Sequence, residues 1–86
     1  MIEITGKSEY TYQEIFNALM VEVAKHGTPT YAQPVVESYD ASTQTSTAID
    51  KDETYAHGVL RLAYKATING VEEFGYVYGT LKSTIA

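Results

Sequence analysis

The fold is decided by residues 58–81, which read GVLRLAYKATINGVEEFGYVYGTL. Two runs rich in β-branched and aromatic residues flank Asn69-Gly70. This dipeptide favours a two-residue type I′ turn, because both turn residues need positive φ. Such a turn fixes the register, so Gly58 should lie opposite Leu81 and Ile68 opposite Val71. The sequence therefore predicts a long C-terminal β-hairpin whose two faces can be assigned residue by residue.

One face of this hairpin has the character of a core face. It carries Leu60, Leu62 and Tyr64 on the first strand, with Leu60 opposite Gly79 and Tyr64 opposite Gly75. A large side chain can lean over a strand glycine, which has no side chain of its own to pack. Glu73 lies on the same face near the turn, where we expect it to reach solvent.

The second face of the hairpin carries an aromatic stripe of Phe74, Tyr76 and Tyr78, with Arg61 and Lys65 placed as cation–π partners. Each ring buries about 150–250 Å² when covered. Three rings together approach the few hundred Å² at which an exposed apolar patch begins to indicate an interaction site. A simply solvated tyrosine face is the alternative, because tyrosine favours strands and keeps its hydroxyl in water.

A single helix is predicted ahead of the hairpin. Thr11 and Glu14 fit a capping box, and Gly27 followed by Pro29 predicts the end of the helix after about 15 residues. Helical spacing gives the segment one apolar stripe, composed of Tyr12, Ile15, Phe16, Leu19, Met20 and Val23. A helix of this length depends on packing that stripe against a sheet.

The remaining strands are predicted less sharply. Residues 2–4 alternate as an edge strand would, and residues 34–40 form a second candidate strand. Residues 41–47 are rich in Ser and Thr and fit either a loop or an exposed edge strand. Residues 50–53 read as a charged turn. Together the elements predict one α+β domain over residues 1–86, with one helix packed on a four- to five-stranded, mostly antiparallel sheet.

Composition excludes several classes of function. The chain has 86 residues, no cysteine and a net charge of −5. Disulfide frameworks, thiolate zinc sites and cysteine nucleophiles are therefore excluded. The six basic residues are scattered, and binding to nucleic acid requires clustered Lys and Arg, so we expect no direct nucleic-acid binding.

The sequence also lacks a motif for catalysis or metal binding. His26 and His57 are far apart, and neither has an acidic residue at ligand spacing on the same element. Residues 50–53 offer carboxylates without the glycine turn and later Glu of a calcium loop. No serine lies in a Gly-x-Ser-x-Gly motif, and no glycine run has phosphate-binding spacing. We expect neither enzymatic activity nor a metal or other cofactor.

The hydrophobic pattern predicts no association with a membrane. The longest apolar run, residues 18–21, is far shorter than the roughly 20 residues of a membrane span. We expect a cytoplasmic protein.

These observations predict a small acidic protein-binding domain that acts as an inhibitor or adaptor through protein–protein contact. The expected contact residues are Arg61, Phe74, Tyr76 and Tyr78, and the partner is another protein or a second copy in a homodimer. Small cofactor-free chains of this kind are typical of phage and mobile-element products. Two alternatives stay open: a homodimeric small-ligand binder with its pocket at the dimer seam, and a minor structural subunit of a larger assembly.

Overall fold

The computed structural model describes residues 1–25, 28–29 and 35–84, and it shows an α+β architecture. One helix, α1 (Tyr12–Ala24), packs on a mostly antiparallel sheet. The strands in chain order are β1 (Ile2–Ile4), β2 (Tyr10–Thr11), β3 (Thr28–Pro29), β4 (Val35–Asp40), β5 (Thr45–Ala48), β6 (Thr54–Tyr55), β7 (Gly58–Ile68) and β8 (Val71–Leu81).

The main sheet has the strand order β1-β8-β7-β4-β5, and the short β3 also pairs with β7. The pairs are antiparallel except for β1, which runs parallel to β8. The five strands of the continuous path agree with the four to five predicted. In addition, β2 and β6 form a separate two-stranded ladder. Strands of two residues, such as β2, β3 and β6, are too short to show periodicity in a sequence.

The pairing of β7 with β8 follows the predicted register. Gly58 lies opposite Leu81 and Ile68 opposite Val71. The turn residues Asn69 and Gly70 have φ of 51° and 77°, as a turn with two positive φ angles requires. At 11 residues each, β7 and β8 are the longest strands of the described chain. The molecule is elongated and measures 47 × 27 × 23 Å.

The Ser/Thr-rich segment contains both a turn and a strand. Residues 41–44 form the turn, in which Gln44 has φ of 56°, and β5 begins at Thr45. The predicted loop is therefore correct for residues 41–44, and the predicted edge strand is correct for residues 45–47. The strand predicted over residues 34–40 is observed from Val35, and residue 34 lies outside the described residues.

The helix begins with the predicted capping box. The Glu14 N–H donates to Thr11 Oγ1 at 3.2 Å, and the Thr11 N–H donates to Glu14 Oε1 at 3.0 Å. Lys7 forms an ion pair with the same carboxylate, and its hydrogen bond, together with that of Thr11, lowers the pKa of Glu14. The helix has 13 residues and Lys25 as its C-cap, so it is shorter than predicted. His26 and Gly27 lie outside the described residues.

The core lies between α1 and the sheet face that the hairpin pattern assigns to it. On the helix, Ile15, Leu19 and Val23 are fully buried, whereas Tyr12, Phe16 and Met20 of the predicted stripe are only partly covered. The buried core consists of Ile4, Tyr10, Ile15, Leu19, Val23, Val36, Leu60, Leu62, Val77 and Leu81. Glu73 is exposed, as predicted.

Two strand glycines leave space on the core side of β8. A Cβ atom at Gly75 would lie 2.7 Å from the Tyr64 ring, so Tyr64 leans over this glycine as predicted. The space at Gly79 is filled differently from the prediction. The atoms nearest to it belong to Leu19 of the helix and to Ile2 and Ile4 of β1, not to Leu60 of the opposite strand. The sequence does not reveal this, because it does not show where β1 pairs.

Candidate protein-binding face

The sheet face opposite α1 carries the predicted aromatic stripe, and we call it the outer face. Its members alternate with the buried residues along each strand. The register of the strands places on it Glu3 from β1; Glu72, Phe74, Tyr76, Tyr78 and Thr80 from β8; Val59, Arg61, Ala63, Lys65 and Thr67 from β7; Val35, Glu37 and Tyr39 from β4; and Ser46 and Ala48 from β5.

Arg61 organises the centre of the outer face. It lies directly opposite Glu37 on one neighbouring strand and Tyr78 on the other. Its Nε donates to Glu37 Oε1 at 3.0 Å, and its Nη2 donates to Ser46 Oγ at 2.8 Å. The Arg61 side chain is only 17% exposed. The guanidinium is therefore occupied by bonds within the chain.

The guanidinium also stacks on aromatic rings. Its Cζ atom lies 4.2 Å from the centroid of the Tyr76 ring and 5.2 Å from that of Tyr39. Partial burial by itself lowers the pKa of Arg61, but hydrogen bonds to Tyr78 and Glu37 and the charge of Glu37 outweigh burial and raise it. Arg61 thus stays charged, as both the ion pair and the cation–π contacts require.

The aromatic rings on the outer face also contact one another. Tyr78 packs edge-on against Tyr39, with centroids 5.3 Å apart, and lies 6.3 Å from Tyr76. Closer to the hairpin turn, Lys65 Nζ of β7 lies 5.6 Å from the centroid of Phe74 and 3.0 Å from Glu72 Oε1. Each cation of the hairpin is thus paired with both a carboxylate and a ring.

The four predicted contact residues lie on one face, but they differ in accessibility. Phe74 is 80% exposed and Tyr76 is 51% exposed. Tyr78 and Arg61 are half-buried, and both contact the Tyr76 ring. The structure therefore separates an accessible pair, Phe74 and Tyr76, from two residues that support it.

The strands β4 and β5 contribute to this face in a way that the sequence pattern does not predict. Tyr39 and Glu37 alternate on one side of a strand, which is the only signal that they share a face. Their contact with Arg61 could not be predicted, because no short turn fixes the register between β4 and β7. Ser46 belongs to the segment that fitted either a loop or a strand.

Other candidate sites are less developed among the described residues. His57 is exposed, and His26 lies outside the described residues. In the part of the chain that the structure describes, no group of three or more His, Asp or Glu side chains could hold a metal ion. No helix of that part is both long enough and apolar enough to cross a membrane.

Replacing Arg61 by Met should lower the free energy of unfolding by about 2 kcal/mol, because Glu37 loses its cation and two rings lose their stacking partner. In a double-mutant cycle with Glu37→Gln, measured by urea denaturation, we expect a coupling energy of about 1 kcal/mol. A coupling energy near zero would show that the pair behaves as an ordinary solvated ion pair.

Comparison of the chain with protein-family models, with curated proteins and with solved structures gives no match.

Proposed function

We propose that this protein acts by binding another protein through the outer face. The observation that carries the proposal is the exposed pair Phe74 and Tyr76, which lies on a face whose supporting side chains are held in place by Arg61. Tyr and Arg are the residue types that dominate binding energy at interfaces. A ring that is already held in position loses little conformational freedom on binding.

The charges on the outer face support the same proposal. Arg61 is paired with Glu37, and Lys65 with Glu72, so these charges are neutralised locally although the chain carries a net charge of −5. The ion pair of Lys82 with Glu3 lies toward β1 at the sheet edge. A centre with few net charges and a charged rim is the usual arrangement of a protein interface.

The proposed role is that of an inhibitor or adaptor rather than an enzyme. A protein that acts by occupying the surface of its partner needs accessible side chains that are held in position, and the exposed rings Tyr76, stacked on Arg61, and Phe74, beside Lys65, meet that need. It needs no reacting group. The partner is another protein, or a second copy of the chain if the same face self-associates.

The proposal predicts a specific loss of binding. Replacing Phe74 and Tyr76 together by Thr should weaken association by about 2 kcal/mol, which is about 30-fold, because such losses typify contact hot spots. Thr preserves strand propensity and both side chains are exposed, so the fold should survive. Titration calorimetry with the isolated partner, or sedimentation equilibrium for self-association, measures the change.

A matched control is Val21→Thr, which removes from α1 an apolar side chain whose exposed fraction, 64%, lies between those of Tyr76 and Phe74. It should leave association unchanged. If the Phe74/Tyr76 variant is folded by circular dichroism and associates as tightly as the wild type, the outer face is only a solvated tyrosine face. A loss restricted to self-association would identify the second copy as the occupant.

A further inference from the structure

The strand β5 forms one edge of the main sheet. Among the described residues, no strand pairs with the backbone edge of β5 that faces away from β4. The strand pairs with β4 alone, at the end of the strand order. Its sequence, Thr-Ser-Thr-Ala, contains none of the Lys or Pro residues with which proteins commonly protect an edge. Threonine also has high strand propensity.

The hydrogen-bond pattern shows which backbone groups of β5 point outward. The Ile49 N–H donates to the Val36 carbonyl at 3.2 Å, and these two residues lie opposite each other in the continued register. In an antiparallel pair, hydrogen-bonded residues alternate with residues whose backbone groups point away. Counting back from Ile49, the N–H and C=O groups of Ser46 and Ala48 therefore face the open edge.

A cleft of about 530 Å³ adjoins this edge on the helix side of the sheet. Thr45 and Thr47 of the edge strand line it, so the cleft and the free edge are continuous. Its remaining lining comes from β4, from the start of β7 and from the segment between β5 and β7, including Asp40, Asp50 and His57. An added strand would thus place alternate side chains next to the cleft.

The charge of the cleft favours a basic side chain as its occupant. Ser42 donates to Asp40 Oδ1 through both its hydroxyl and its N–H, and these bonds lower the pKa of Asp40, which keeps it ionised. Among the described residues, neither Asp40 nor Asp50 takes part in an ion pair. The nearby Lys51 lies over the Tyr12 ring instead, 5.8 Å from its centroid.

We propose that β5 accepts an extended segment of a partner protein as an added strand, and that a lysine or arginine side chain of this segment enters the adjoining cleft. Main-chain hydrogen bonds to Ser46 and Ala48 would supply affinity, and the cleft would supply specificity, as in other cases of strand addition. The site uses the free backbone edge of β5 and the cleft on the helix side of the sheet, so it does not depend on the proposed function of the outer face.

The probe is the capped peptide Thr-Val-Lys-Val-Thr-Val, titrated into the ¹⁵N-labelled full chain up to about 1 mM, a concentration that reports even weak binding. We expect amide shifts to concentrate at residues 45–50 and at Asp40. The same peptide with Glu in place of Lys should bind at least tenfold more weakly. A version in which every second residue is N-methylated cannot donate main-chain hydrogen bonds along one edge of the peptide. It should also bind at least tenfold more weakly.

Two variants test the two parts of the site. Ala48→Pro removes an outward N–H without removing a bond to β4, as proline permits at a sheet edge, and should weaken binding about tenfold. Asp40→Asn with Asp50→Asn should abolish the preference for Lys over Glu, because it removes the two charges of the cleft. The matched control, Glu53→Gln, removes an exposed charge from the same segment outside the cleft and should leave binding unchanged.

The proposal is overturned if the Lys peptide causes no shifts near β5, or if the Glu or N-methylated peptide binds as tightly. If Ala48→Pro fails to fold, the N-methylated peptide on the wild-type chain decides the question alone. If Ala48→Pro converts a dimer into a monomer and no peptide binds, a second copy occupies the edge and the proposal is wrong.

Discussion

Replacing Leu62 by Ala is expected to lower the free energy of unfolding by about 3 to 4 kcal/mol. Leu62 is fully buried on the central strand β7, where it lies opposite Val36 on one side and Val77 on the other. Its removal takes several methyl and methylene groups out of the core and leaves a cavity that sheet and helix cannot fully close. Because small domains have only about 5–15 kcal/mol of stability, this is a large fraction of the total.

Urea denaturation measures this loss, and Val71→Ala provides the control. Val71 lies on the same face of the same hairpin but is 59% exposed at its far end, so its truncation should cost less than about 0.5 kcal/mol. Equal effects for the two variants would contradict the assignment of the hairpin face beneath α1 as the core.

The second large effect is expected from Gly79→Val, which should cost about 3 kcal/mol by overpacking. A Cβ atom at this position would lie 3.1 Å from Leu19 Cδ2, 3.2 Å from Ile2 Cγ1 and 3.3 Å from Ile4 Cδ1. These neighbours come from the helix and from β1, so they cannot all move aside without separating elements that pack together. The two added methyl groups of valine would make the crowding worse.

Gly75→Ala is the informative comparison for Gly79→Val. Its Cβ would lie 2.7 Å from the Tyr64 ring, closer than any neighbour at Gly79. The atoms concerned form the far end of a half-buried side chain that can swing away, so we expect a loss below about 1 kcal/mol. Thermal and urea unfolding of both variants test the order. If Gly79→Val cost no more than Gly75→Ala is expected to, below about 1 kcal/mol, β1 and α1 would not be packed over β8 as the structure shows.

The part of the fold that the sequence predicts well is local. Asn69-Gly70 determines the register of β7 with β8, because a two-residue turn leaves no freedom in pairing. The reciprocal bonds of Thr11 and Glu14 determine where α1 begins. In both cases the residues that specify the structure are at most a few positions apart.

The parts that could not be predicted depend on contacts distant in sequence. The parallel pairing of β1 with β8 joins the two ends of the described chain, and no residue in Ile2–Ile4 specifies the direction of pairing. Likewise, Arg61 stacks on Tyr76 and Tyr39 rather than mainly on the directly opposite Tyr78. The bonds to Glu37 and Ser46 hold the guanidinium near Tyr39 of β4, and the Tyr76 ring of β8 contacts it from the other neighbouring strand.

The same contacts change the interpretation of the candidate site. From the sequence, Arg61, Phe74, Tyr76 and Tyr78 are four equivalent contact residues. In the structure, Arg61 and Tyr78 support the face, and Phe74 and Tyr76 are the side chains that a partner could reach. The proposed binding energy is therefore concentrated in two rings.

The most direct test of the proposed function is site-specific photo-crosslinking in extract of the source cells. A photoreactive phenylalanine analogue is placed at Phe74 in one protein and at the likewise exposed Val21 of α1 in another. We predict one discrete crosslinked protein, or a crosslinked dimer, from position 74 and none from position 21. The adduct should disappear when an excess of unlabelled wild-type chain competes, but not when the competitor carries the Phe74/Tyr76 substitutions. No adduct at position 74, or the same adducts at both positions, would contradict a binding role for the outer face.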